Sequence, residues 1–228
     1  MNRLHEVIRE LPPGVEFLVV ITWAFGLPIC ASIMSLGVVE GGEALVFNDT
    51  SMLGTIILEV IQLAILSWFL RIRGWTLEKF GLAFSWRGTA LGLGLLVLTT
   101  AIAFGVGFIA RIVFDYDVTT AFGRQPKMGA DLSMQLIFLV SVVNGIFEEL
   151  FVAGYIITAL SGTRGMWVAI NVSVVVRLLC YISQGPVGVV TMVPMGLLYG
   201  YAYSRTRQLW PLMVAHVVMD LIGLTFQG

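Results

Sequence analysis

The sequence has little charge and few cysteines. Only 12% of its 228 residues are Asp, Glu, Lys or Arg, whereas soluble domains carry roughly 25%. Its two cysteines, Cys30 and Cys180, lie in apolar runs and form neither a disulfide framework nor a zinc-ligand spacing. The 13 basic residues are balanced by 14 acidic ones, so there is no basic excess to bind nucleic acid. These shortages exclude most soluble classes and a nucleic-acid partner.

Apolar residues, by contrast, are abundant: they make up 58% of the chain, and the mean hydropathy is +0.93. Runs of about 20 apolar residues are long enough to cross a bilayer as helices. The sequence contains seven, at 17–37, 52–72, 89–113, 133–160, 166–183, 186–204 and 209–226. Barrel strands would alternate apolar and polar residues instead. We therefore expect an all-α, polytopic membrane helix bundle with about seven transmembrane helices, forming one membrane domain over residues 1–228 in contact with membrane lipid.

Basic residues are unevenly distributed among the connections between these runs. Alternate connections, starting with the N-terminal segment, hold nine of them: Arg3, Arg9, Arg71, Arg73, Lys79, Arg87, Arg164, Arg205 and Arg207. The opposite connections hold only Arg124 and Lys127. Because basic connections stay on the cytoplasmic side, the pattern predicts a cytoplasmic N-terminus.

Ionisable side chains within the spans are costly unless they are paired or hydrated, so they are the first candidates for function. The spans contain Glu59, Arg111, Glu148, Glu149, Arg177, His216 and Asp220. Arg111 lies near the end of its span, where a long side chain reaches the surface. Glu59 is interpreted as a buried hydrogen-bonding group or one near the surface, with a catalytic role as the lesser alternative.

Glu148 and Glu149 are neighbours in the middle of the fourth span. Adjacent residues point about 100° apart on a helix, so we expect them not to face one partner. One would face a central cavity while a neighbouring helix holds the other. A buried carboxylate suits a general base that takes a proton from water. The alternative is a structural pair bonded to Ser, Asn or backbone groups of other helices.

His216 and Asp220 are four residues apart and share one helix face. Asp220 could accept a hydrogen bond from the ring, or both side chains could line a common cavity. An imidazole oriented in this way can donate to a developing oxyanion or bind a metal. A core histidine satisfied by its own helix is the alternative. The HExxH spacing of zinc peptidases is absent.

Three stretches carry a family resemblance: EELFVAGY, RLLCYISQGPVG and LWPLMVAHVVMD, in that order. They resemble the motifs of the CPBP family of intramembrane proteases, which includes CAAX prenyl endopeptidases and bacteriocin-processing and self-immunity (Abi-like) proteins. The resemblance covers about residues 68–226. It implies an endopeptidase in a bacterial or archaeal membrane that cleaves a membrane-associated, hydrophobic or lipidated peptide or protein.

The resemblance also implies roles for individual residues. Glu148 matches the glutamate that activates water, and Glu149 matches its partner. His216 matches a histidine that stabilises the oxyanion, with Asp220 one helical turn beyond as an orienting group. These four residues retain the family pattern and favour an active enzyme.

Two positions depart from that pattern. Ala153 stands where the first motif, EExxxR, has Arg, and Tyr181 stands where the second motif has His. Tyrosine can still donate a hydrogen bond to an oxyanion, but it is a poor zinc ligand. We therefore expect no cofactor, with zinc as the less favoured alternative. The departures leave a second function open: a catalytically degenerate membrane scaffold, binding or immunity subunit with a membrane-protein partner.

Arg177 lies about half-way along the fifth span, too far from either end to reach the surface easily. A charge so placed needs a partner. With Ala153 in place of the family arginine, Arg177 is the nearest cation for the glutamates. We predict that it lies within hydrogen-bonding reach of Glu148 or Glu149, with Tyr181 one turn further along the same face.

Overall fold

A computed structural model describes residues 3–40, 46–114, 127–128, 132–184 and 186–226. Its α-helices are α1 (Arg3–Glu10), α2 (Pro13–Glu40), α3 (Asp49–Ile72), α4 (Trp86–Phe114), α5 (Met134–Glu148), α6 (Ile156–Arg164), α7 (Met166–Cys180), α8 (Pro186–Thr206) and α9 (Trp210–Phe226). A π-helix (Glu149–Tyr155) joins α5 to α6, and a 3-10 turn (Ile182–Gln184) precedes α8. Strands β1 (Val46–Phe47) and β2 (Lys127–Met128) pair in parallel and are too short to cross a membrane. The predicted all-α class is confirmed.

Helix length and composition support an integral membrane protein. Among the described residues, four helical stretches are long and apolar enough to cross a bilayer: Pro13–Ser35, Asp49–Ile72, Trp86–Val113 and Met134–Arg164. Met166–Cys180 and Trp210–Thr225 are shorter apolar helices. The last three predicted spans coincide with α7, α8 and α9, and the count of seven stays a prediction. Arg124, one of the basic residues used for orientation, falls outside the described residues.

One end of the bundle is formed where α3 and α5 begin. Asp49, the first residue of α3, accepts a hydrogen bond through Oδ1 from the backbone N–H of Ser133 at 3.0 Å, just before α5. Beyond this contact lies a small apolar cluster made of Met52, Ile56, Ile137 and Val140. Leu221 and Leu224, near the end of α9, pack against the same cluster. Helices α3 and α5 therefore run in one direction and α9 runs in the other.

The other end is held by Glu16, which is only 7% exposed. Its carboxylate accepts hydrogen bonds from Arg73 Nε at 2.5 Å, Trp75 Nε1 at 2.8 Å and the Tyr155 hydroxyl at 3.2 Å. Arg73 also donates to the backbone carbonyl of Arg9. The N-terminal segment and the connection after α3 thus meet at one end, as alternating spans require. Which end faces the cytoplasm stays a prediction.

A glycine lets α9 approach α5 closely. A Cβ placed on Gly145 would lie 2.7 Å from Val217 Cγ2 and 3.2 Å from the Val217 backbone nitrogen. Only a residue without a side chain fits in that space. Because Val217 follows His216 directly, this contact brings the histidine against the helix that carries Glu148.

Candidate active site

The two glutamates lie where α5 changes into the π-helix. Glu148 is the last residue of α5 and Glu149 the first of the π-helix. In a π-helix the backbone hydrogen bond spans five residues instead of four, and such segments are frequent at functional sites. The π-helix was not predicted from the sequence, because nothing in the stretch ELFVAGY separates a π-helix from an α-helix.

Arg177, in the last turn of α7, bridges the glutamates. Its Nη1 donates to Glu148 Oε2 at 3.2 Å, and its Nη2 donates to Glu149 Oε1 at 2.7 Å. The side chain is 2% exposed, and its guanidinium carbon lies 5.9 Å from the centroid of the Tyr199 ring. The predicted contact between Arg177 and the carboxylates is confirmed.

The expectation that adjacent carboxylates do not face one partner is wrong. A guanidinium group is a planar fork with several N–H donors. Its two terminal nitrogens point in different directions, so each can reach a different carboxylate. The guanidinium group of Arg177 is therefore wide enough to contact both carboxylates, although Glu148 and Glu149 point in different directions from the helix.

Tyr181 completes the contacts of Glu148. It directly follows α7, and its hydroxyl donates to Glu148 Oε1 at 2.6 Å. Glu148 therefore accepts one hydrogen bond on each oxygen, from Arg177 on one and from Tyr181 on the other. Both donors come from the same end of α7, as the one-turn spacing predicts.

His216 is held by Glu149 and not by its helix neighbour Asp220. Its Nδ1 lies 2.7 Å from Glu149 Oε1. Its Nε2 lies 3.6 Å from Asp220 Oδ1, which is longer than a hydrogen bond. Glu149 thus fixes the ring, and Nε2 faces Asp220 without bonding to it. Of the two arrangements left open by the sequence, the structure has both side chains at a common site.

Asp220 has another partner, Asn144, whose Nδ2 donates to Asp220 Oδ2 at 2.9 Å. Asn144 was not among the predicted site residues. The signal was available, because Asn144 lies four residues before Glu148 and so on the same face of α5. This hydrogen bond holds Oδ2 of Asp220, while Oδ1 faces His216.

The two glutamates differ in what they can do. Glu149 is 0% exposed, and its Oε1 is shared by Arg177 and His216. Its Oε2 is buried with no hydrogen-bond partner among the described residues. Glu148 is 8% exposed and lies further from Arg177. Glu149 is therefore placed to hold other groups, and Glu148 is the carboxylate that a small molecule such as water can reach.

Ala153, the first departure from the family pattern, lies inside the π-helix and is 1% exposed. It packs within the main apolar core. The guanidinium group expected at this position comes instead from Arg177 on α7. The charge that pairs with the two glutamates is thus supplied by another helix, α7.

The donor set gives no obvious metal cage. Among the residues that the structure describes, no group of three or more His, Cys, Asp or Glu side chains is arranged to hold a metal ion. Both nitrogens of His216 face carboxylates of the cluster. The absence of a cofactor stays a prediction.

Comparison with known proteins gives one match. Residues 130–222 match the family model described as Rce1-like: type II CAAX prenyl endopeptidase Rce1-like. No curated protein and no solved structure matches the chain. The matched stretch includes every predicted site residue, from Glu148 to Asp220, and is shorter than the predicted 68–226. The family resemblance predicted from the motifs is confirmed.

Proposed function

We propose that this chain, a member of the CPBP family by its Rce1-like match over residues 130–222, is an intramembrane endopeptidase that cleaves a membrane-associated or prenylated peptide. The observation that carries the proposal is the single cluster formed by Glu148, Glu149, Arg177, Tyr181 and His216. These residues come from three separate stretches of the chain. We place the protein in the cell membrane of a bacterium or archaeon.

Glu148 acts as the general base in this proposal. It is the more exposed glutamate of the pair. Arg177 and Tyr181 each bond to one of its oxygens and so fix the carboxylate in place. Each oxygen has a second lone pair, which can accept the proton of an attacking water. The water oxygen then bonds to the scissile carbonyl carbon, and the carbonyl oxygen becomes an oxyanion.

His216 stabilises that oxyanion through Nε2. Glu149 accepts from Nδ1 and holds the ring in one orientation, as second-layer carboxylates do for catalytic and metal-binding histidines. Donation from both ring nitrogens requires the imidazolium form, with one proton on Nδ1 for Glu149 and one on Nε2. The 3.6 Å between Nε2 and Asp220 leaves this second N–H able to donate to a closer oxygen. Asp220 then serves to orient and balance the imidazole.

Tyr181 is the second donor, and its role follows from its single hydroxyl proton. In the structure the Tyr181 hydroxyl donates this proton in a hydrogen bond to Glu148 Oε1, at an oxygen–oxygen distance of 2.6 Å. Once Glu148 has taken a proton from water, its oxygen is a weaker acceptor, and the oxyanion becomes the stronger one. The hydroxyl then turns to the oxyanion. Collapse of this intermediate breaks the C–N bond, and the leaving nitrogen takes the proton back from Glu148.

The scaffold alternative has no observation of its own in favour of it. A scaffold needs neither a reachable carboxylate nor a histidine with a free nitrogen, and the cluster has both. Retention of Glu148, Glu149, His216 and Asp220 supports the enzyme.

The test compares purified wild-type protein with Glu148→Gln on a library of hydrophobic peptides, each with and without a prenyl group. Glu148→Gln keeps the shape of the side chain and removes the base. We expect cleavage to fall about 100-fold or more, the usual contribution of a general base. Glu78→Gln is the matched control, because Glu78 is exposed in the connection after α3.

Three outcomes are informative. Loss of cleavage in Glu148→Gln alone supports the proposal. Equal cleavage by wild type and Glu148→Gln removes Glu148 as the base. No cleavage by any of the proteins, with all of them folded, favours the scaffold. The two forms of each peptide show whether the lipid is part of what is recognised.

A further inference from the structure

Glu59, on α3, lies outside the segment that matches the family, and its place in the fold is informative. Three residues before it, Ile56 belongs to the small apolar cluster. Four residues after it, Leu63 packs against the main apolar core. Positions 56, 59 and 63 share one face of a helix. Glu59 therefore faces the interior, between the two apolar clusters.

The candidate active site lies at a similar depth along the helix bundle to Glu59. From the small apolar cluster, α5 leads through Val140 and Asn144 to Glu148, and α9 leads from Leu224 to Asp220 and His216. On α3, the residue that follows the cluster on this face is Glu59. The small apolar cluster packs α3 against α5 and α9, so this face of α3 turns towards the helices that carry Glu148, Asp220 and His216. Three helices thus contribute ionisable groups to one polar layer.

Glu59 shares with Glu149 a buried carboxylate oxygen that has no hydrogen-bond partner among the described residues. Glu59 itself is 8% exposed, and the unpaired oxygen is its Oε2. Burying an unpaired polar atom is costly, and more so within a membrane. Gln62, one turn further along α3, is 4% exposed and donates to the Trp23 carbonyl at 2.7 Å. Gln62 is thus paired with α2, whereas Oε2 of Glu59 has no hydrogen-bond partner among the described residues.

We propose that Glu59 is a further residue of the active site, whose free carboxylate oxygen accepts a hydrogen bond from an O–H or N–H group that arrives with the substrate. The donor is either the attacking water or a backbone amide of the bound peptide. The proposal rests on the endopeptidase function above. It adds a fourth helix, α3, to a site that the motifs place on α5, α7 and α9.

The test uses Glu59→Met, which keeps the volume and removes the acceptor, and Glu59→Gln, which keeps an acceptor oxygen. Gln62→Met is the matched control. Turnover and KM are measured with the best peptide from the library, and thermal unfolding is followed in the same detergent. A labelled prenylated peptide is also titrated onto each variant in a Glu148→Gln background.

Glu59→Met should keep the wild-type unfolding temperature or raise it, because replacing an unpaired buried polar group by an apolar one costs no bond. Cleavage should fall about 10- to 100-fold, the value of a hydrogen bond to a charged group. A lower kcat identifies water as the donor, whereas a higher KM with weaker binding identifies the peptide amide. Glu59→Gln should be intermediate. Gln62→Met should lower the unfolding temperature and leave both kinetic constants unchanged.

Wild-type kinetics and binding in Glu59→Met would overturn the inference and leave the endopeptidase proposal standing. A loss of stability like that of Gln62→Met would also overturn it, since Glu59 would then be structural. If wild type itself cleaves nothing, the endopeptidase proposal fails. The peptide titration then tests whether Glu59 contacts a bound peptide. Weaker peptide binding in Glu59→Met then supports the inference, and equal binding refutes it.

Discussion

Replacing Arg177 by methionine should strongly destabilise the protein. Met has a similar length and no charge, so the change removes the hydrogen bonds at 3.2 and 2.7 Å to Glu148 and Glu149. Both carboxylates then stay in a site that is almost closed to water. Removing one partner of a buried ion pair typically costs about 3–5 kcal/mol. The loss should be at the upper end, because one arginine serves two carboxylates.

Thermal unfolding in mild detergent measures this loss. For a chain of this size, about 3–5 kcal/mol corresponds to a decrease of roughly 6–20 °C in Tm. Arg205→Met is the control, because Arg205 is exposed in the last turn of α8, and its Tm should change little. A further variant combines Arg177→Met with Glu149→Gln. Since the two residues are in contact, we expect the double variant to lose less stability than the sum of the single changes.

A decrease of less than about 1 kcal/mol in Arg177→Met would refute this reasoning, since that is the range of an exposed ion pair. Strict additivity in the double variant would refute it as well. Either result would mean that the glutamates are stabilised without the guanidinium group. The assignment of Arg177 as the replacement for the family arginine would then be wrong.

Three further predictions concern the oxyanion donor Tyr181, the zinc content of the protein and its orientation in the membrane. Tyr181→Phe removes one oxyanion donor and should lower kcat about 100-fold with a smaller loss of stability than Arg177→Met; unchanged kcat would exclude Tyr181 from catalysis. Elemental analysis of protein purified without added metal should find no stoichiometric zinc, since His216 is the only histidine within the spans; a value near one zinc per chain would contradict this. Gln208→Cys, in a chain without its native cysteines, should be labelled only from the cytoplasmic side, and labelling from outside intact cells would reverse the predicted orientation.

The helical fold and the core of the site could be predicted because they depend on local physics. Long apolar runs must be helical in lipid, where every backbone polar group needs a partner. A cation in mid-span needs an anion, and for Arg177 the candidates were two adjacent glutamates. Charge balance predicted that contact together with the family pattern, in which Ala153 leaves the glutamates without an arginine.

What could not be predicted depends on how helices align with one another. The depth of Glu59 in the bundle follows from the alignment of α3 with α5, which the contact between Asp49 and Ser133 helps to fix. The approach of His216 depends on the space that Gly145 leaves. Neither relation is encoded in a spacing along one helix. The contact of His216 with Glu149 rather than Asp220 has the same origin.

The origin of the guanidinium group also has a consequence for how the chain enters the membrane. In the family pattern the arginine would stand at the position of Ala153, on the same continuous helical stretch as the glutamates, and would enter the bilayer with them. Arg177 is 29 residues after Glu148 and 28 after Glu149, on a helix that is synthesised later. Each acidic residue at the centre of an inserting helix costs about 2.5–3.5 kcal/mol. During biogenesis we therefore expect the glutamates to lack their counter-charge until α7 follows, and we expect α5 and α7 to be inserted together.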